Sequence, residues 1–81
     1  MRKTLTTLRC VPRFGYDNTE VRMVELEVGE LDHDSLLESL QRWFAMRGIA
    51  DAVFDIDADD NGYFAIINDE AYADAWGRAV L

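Results

Sequence analysis

One cysteine, one proline and one histidine among 81 residues remove several function classes before any pattern is read. The lone thiol, Cys10, excludes a disulfide within the chain and fits a reducing compartment. With only Cys10 and His33 as soft ligands, no structural zinc site within one chain is expected. No P-loop, dinucleotide fingerprint or serine elbow is present, so no cofactor is expected either. No run of about 18 apolar residues could span a bilayer. Met1-Arg2-Lys3 leads into threonine-rich alternation where a signal peptide would carry an apolar stretch, and the expectation is a cytoplasmic protein. There is no repeat, low-complexity tract or Pro/Gly/Ser-rich linker. The chain is too short for two cores, yet at 49% hydrophobic it is apolar enough to fold, so residues 1–81 read as a single domain.

Positive charge is the other scarcity. Sixteen acidic residues face eight basic ones, a formal net charge of −8, and the imbalance is uneven along the chain. Residues 1–22 hold five cations (Arg2, Lys3, Arg9, Arg13, Arg22) and two acids; the rest holds fourteen acids against Arg42, Arg47 and Arg78. A domain charged in this way repels free nucleic acid and anionic membranes and attracts basic protein surfaces, fastest at low salt. The charge gives the sign of a partner without naming it.

Residues 3–12 are β-branched and roughly alternating, and predict a first strand that ends near Pro12. Phe14-Gly15-Tyr16-Asp17-Asn18-Thr19 is turn chemistry. Residues 21–28 alternate clearly, with Val24, Leu26 and Val28 on one face and Met23, Glu25 and Glu27 on the other. From Asp32 to Arg47 the period becomes helical: Leu36, Leu37, Leu40, Trp43 and Phe44 share a sector, Ser35-Leu36-Leu37-Glu38 offers a capping box, and Gly48 is placed to end the helix. Residues 52–68 return to period two, with Phe54, Ile56 and Ala58 on one side and Val53, Asp55, Asp57 and Asp59 on the other.

Asn61-Gly62 is the strongest hairpin signal, expected as a two-residue type I′ turn that sets Asp60 opposite Tyr63, Ala58 opposite Ala65 and Ile56 opposite Ile67. Asn68 or Asp69 can cap a last helix whose shared face is Tyr72, Trp76, Ala79 and Val80. The expected fold is α+β: a two-layer arrangement of a four-stranded, mostly antiparallel sheet with two helices on one face, in the order β-β-α-β-β-α.

Three constellations invite a chemical reading. Asp57-Ala58-Asp59-Asp60-Asn61-Gly62 reproduces the first half of a calcium-binding EF-hand loop, but position 12 is Asn68 and the flanks read as strands, so the segment is taken as an acidic hairpin turn. Cys10 and His33 could form a nucleophile and base, but no orienting residue is evident and a lone cysteine on a strand packs in cores. No catalytic residue is assigned, and the protein is not expected to be an enzyme. The third is a row of carboxylates, Asp55, Asp57 and Asp59, spaced by about 6.6 to 6.8 Å along one strand face. Glu25 and Glu27 have the same disposition on the second strand. Carboxylates mixed with Met23, Phe64 and Ile66 suit an interface better than a solubilising coat. Asp32, Asp34, Glu38, Asp69 and Glu70 are set aside because helix N-termini account for them.

In size, charge and layout the whole chain resembles the small acidic inhibitors that phages and mobile elements encode against CRISPR systems. That group has no defining motif, so no residue is carried over from it. The resemblance implies an inhibitor that occupies a DNA-binding or protospacer-motif-reading groove of a CRISPR effector complex, with the target's arginines and lysines as counter-charges. The expected partner is therefore a basic protein surface, with no direct nucleic-acid or membrane contact. The candidate binding residues are Asp55, Asp57, Asp59, Asp60, Glu25, Glu27, Phe64 and Ile66. The alternative is a structural or regulatory interaction module, antitoxin-like or an assembly partner, that binds by its apolar residues with incidental acidity. Either could be a monomer or a dimer.

Overall fold

A computed structural model describes residues 4–14 and 21–79 and places the six elements in chain order: β1 (Thr4–Pro12), β2 (Arg22–Val28), α1 (His33–Ala45), β3 (Val53–Asp59), β4 (Gly62–Ile67) and α2 (Asp69–Ala79). The turn expected over residues 15–19 and the helical-face position Val80 lie outside the described residues. The sheet order is β2-β1-β4-β3, with two antiparallel hairpins, β1/β2 and β3/β4, joined side by side through a parallel β1/β4 pairing. The fold is α+β with a mixed, mostly antiparallel sheet. Its least acidic strand, β1, is thereby central rather than peripheral.

Period-two burial makes the two faces plain. Leu8, Cys10, Val24, Leu26, Val28, Ile56, Ala65 and Ile67 are buried on one face against Leu36, Leu40 and Phe44 of α1 and Ala71 and Ala75 of α2. Burying a side chain such as Phe44 or Leu40 is worth about 1.5 to 3 kcal/mol in transfer free energy. The small Ala71 and Ala75 let α2 lie close over β1 and β2. Both helices cover this face, and the opposite face carries none. No helix among the described residues is long and apolar enough to cross a membrane.

Local chemistry differs from the sequence expectation in several places. The cap of α1 is Asp32, whose carboxylate accepts the Ser35 amide at 2.8 Å, so the helix starts before the Ser35 capping box rather than at it. The β3/β4 loop is Asp60-Asn61, not Asn61-Gly62: Asp59 pairs with Gly62, Asp57 with Phe64 and Ile56 with Ala65. Here Asp59 Oδ1 accepts the Asn61 amide at 2.8 Å and Gly62 alone in the turn takes positive φ, 107°. A side-chain-capped turn followed by glycine thus displaces the type I′ turn.

A bulge between Val53 and Asp55 is the third difference. It shifts the phase of the alternation, so Val53 is buried opposite Ile67 while Phe54, expected inward, is 47% exposed. The fourth is Trp76, expected in the core, which is 41% exposed beneath the Arg22 guanidinium at 4.0 Å. The expected helix ends hold: Gly48 ends α1 with φ 83°, and Asn68 caps α2 by accepting the Ala71 amide at 2.7 Å, whereas Ala58, expected inward with Ile56, is exposed.

Candidate protein-interaction face

The helix-free face is assembled from alternate residues of all four strands. Register sets Met23, Arg9, Phe64 and Asp57 side by side in one row across the sheet. Flanking rows join Glu25 with Thr7, Glu27 with Leu5, and Val11 with Ile66 and Asp55. The expectation that the glutamates of β2 and the aspartates of β3 share a face therefore holds at Asp57. Leu5 and Met23 are exposed, while Phe64 and Ile66 are half-buried among their neighbours.

The expected ladder of three equivalent aspartates is broken by the protein's own cations. Arg9, mostly covered, donates from Nη2 to Asp59 Oδ1 at 2.6 Å and to the Gly62 carbonyl at 3.0 Å, with its guanidinium 5.2 Å above the Phe64 ring centroid. Its hydrogen bond, ahead of that from the Asn61 amide, holds the Asp59 carboxyl below the usual carboxylate value. At the outer edge, Asp55 is drawn toward the helix layer: its Oδ1 lies 3.2 Å from His33 Nε2, at the first residue of α1, and accepts the Ile56 amide at 2.8 Å. The imidazole lowers the Asp55 value, and hydrogen bonds donated by the His33 ring to Asp34 and then to Asp55 raise that of His33.

Asp57 keeps the outward position. Among the described residues its Oδ1 accepts only the amide of its own neighbour Ala58, at 2.8 Å. Asp60 sits exposed at the hairpin turn, beyond the ladder. Of the eight predicted residues, Glu25, Glu27, Asp57, Phe64 and Ile66 come together on the open face. Asp59 joins them already engaged, Asp55 turns to the edge, and Asp60 stands apart.

Sequence reasoning singled out neither Arg9 nor Arg13, which organise this surface. Arg9 alternates with Leu5, Thr7 and Val11, which is the signal that would have placed it among the acids. Arg13 stacks over Phe54 at 4.1 Å and Phe14 at 5.4 Å, so the upper end of the face is an exposed arginine-aromatic stack. The same pairing recurs in the helix layer, where Arg47 lies 3.4 Å over Trp43. Arginine over aromatic faces retains its charge while covering apolar surface.

The remaining candidate chemistry is not brought together. Cys10 is fully buried and desolvation pushes its thiol up to about 12, so the nucleophilic thiolate is disfavoured. Both ring nitrogens of His33 are engaged by Asp34 and Asp55, not by Cys10. In the half EF-hand segment, Asp59 is occupied by Arg9 and the flanks are strands. No protein-family model, no curated protein and no solved structure matches this chain.

Proposed function

We propose that the protein is a non-enzymatic inhibitor that docks its helix-free sheet face onto a basic, nucleic-acid-binding protein surface, such as the DNA-binding groove of a CRISPR effector complex. The observation that carries this reading is the co-location of Glu25, Glu27 and Asp57 with Met23, Phe64 and Ile66 on a face that no helix covers. Apolar contact supplies the affinity, while the carboxylates and the net charge of −8 select basic partners and speed encounter. Arg9 reduces the face's negative charge at Asp59, so the reading is of a mixed docking surface rather than a continuous imitation of a phosphate backbone.

The test is direct binding to purified CRISPR effector complexes with target DNA as competitor. The expected result is mutual exclusion with DNA, with E25Q/E27Q/D57N weakening the complex and flattening its salt dependence. Binding that leaves DNA occupancy unchanged, or no binding to any such complex, overturns it. The second reading is an interaction module led by apolar contact, and exposed Leu5, Met23 and Phe54 favour it. High salt separates the two, because an apolar interface survives it and a charge-led one loosens.

A further inference from the structure

The two outer edges of the sheet are not alike. At one edge, β3 is interrupted by the Val53/Asp55 bulge, a device that blocks the addition of another strand. At the other, β2 runs seven residues in unbroken register with β1, its one hydrogen-bonded neighbour in the sheet among the described residues. A regular strand of that length presents about 23 Å of backbone edge. Beside it lies a cleft of about 670 Å³ between β2 and α1, with Leu5, Glu25, Glu27, Glu38, Trp43 and Met46 in its lining. Met46 is 78% exposed and Leu5 66% exposed, so the cleft has apolar walls open to solvent and an acidic rim.

We infer that this edge accepts an extended basic segment of a partner protein as a fifth strand. Backbone hydrogen bonds to β2 supply the pairing, alternate lysine or arginine side chains meet Glu25 on the helix-free side, and the intervening apolar side chains meet Trp43 and Met46 on the helix side. The charge also rules on the competing occupant. A second copy pairing antiparallel about the middle of β2 would set Glu25 against Glu25, and like charges directly opposite are destabilising. The acids that disfavour self-pairing select a basic strand. This inference does not rest on the open-face reading, because backbone pairing at the edge of β2 is a different contact from docking on the helix-free face, although Glu25 belongs to both.

The probe is a synthetic peptide of alternating lysine and valine, about seven residues long to match β2, titrated into the full chain at low salt and followed by amide NMR. The expected result is saturable binding with shifts concentrated in residues 22–28 and around Ser39 and Met46, and slowed hydrogen exchange along β2. E25Q, at an exposed position that leaves the core intact, weakens binding several-fold. The same peptide N-methylated at alternate amides loses more than about tenfold, because its cations remain while its strand hydrogen bonds are gone. Equal binding of the methylated peptide, shifts spread over the whole acidic surface, or a concentration-dependent dimer formed through β2 overturns the inference. Loss of the DNA competition described above leaves it standing.

Discussion

Arg9 on the central strand reaches across the sheet to Asp59 at the foot of the β3/β4 hairpin, Nη2 to Oδ1 at 2.6 Å. The cation-rich start of the chain thus neutralises part of the acidic remainder from within. The pair also has a pH signature. Asp59 is held below its ordinary 3.8, so its stabilising contribution is present above that value and lost as pH falls through the lower, folded one. D59N is the clean probe, because asparagine retains an oxygen for the Asn61 amide. In urea unfolding it is expected to be less stable than the parent at neutral pH, with the difference shrinking below pH 3.8. A difference independent of pH refutes the charge assignment.

His33 runs with the opposite sign. Its folded value is raised above 6.5 by Asp34 and Asp55, so its contribution is complete below 6.5 and disappears as pH rises through the folded value. The imidazole proton resonances should titrate above 6.5 in the parent and move back toward it in D34N/D55N. The thermal midpoint of D55N should fall short of the parent by more in mildly acidic buffer than in mildly alkaline buffer.

Packing predicts a steep contrast within one helix and its exit. Phe44 is fully buried and meets Trp43 edge-on at 4.8 Å, whereas Met46 is 78% exposed. Phe44→Ala is expected to cost about 3 to 5 kcal/mol by urea unfolding, and Met46→Ala about 0.5 kcal/mol or less. Similar losses at the two sites are incompatible with this core.

Cys10 supplies a chemical clock for opening. A buried thiol pushed up to about 12 reacts only when the sheet-helix contact parts, so modification by a thiol reagent should be slow in buffer and accelerate steeply with urea. Rapid stoichiometric labelling of the folded protein contradicts the buried placement.

Gly62 tests the revised hairpin. At φ 107° it has open space where an alanine methyl would sit, so the strain of Gly62→Ala comes from the backbone alone. The variant should lose about 1 kcal/mol or more. Asn61→Ala, at a position without positive φ, should lose less in the same unfolding measurement. The reverse order would restore the type I′ turn.

Element order and the helix-facing core were legible because both rest on periodicity, which a sequence displays directly: Val24, Leu26 and Val28 could face only one way together. The turn was misread where two local signals competed. Asn-Gly favours one geometry, and an aspartate followed three residues later by glycine favours another, with Arg9 as a distant third party fixing Asp59. The bulge at Phe54 leaves no mark in an alternation pattern, since apolar Val53 and Phe54 satisfy either phase. The site was partly legible for a related reason. Carboxylates could be assigned to a face, but which ones are already satisfied depends on contacts between residues far apart in sequence, as Asp59 with Arg9 and Asp55 with His33.

The parallel seam between β1 and β4 has a consequence for biogenesis. Residue 9 rests beside residue 64, so the first hairpin stays half-wrapped until β4 has emerged during synthesis. Loop closure over that span precedes any reward from the seam. The nascent chain thus offers a bare β1 edge until β4 arrives, and the core closes only once α2, which follows β4, has packed over β1 and β2.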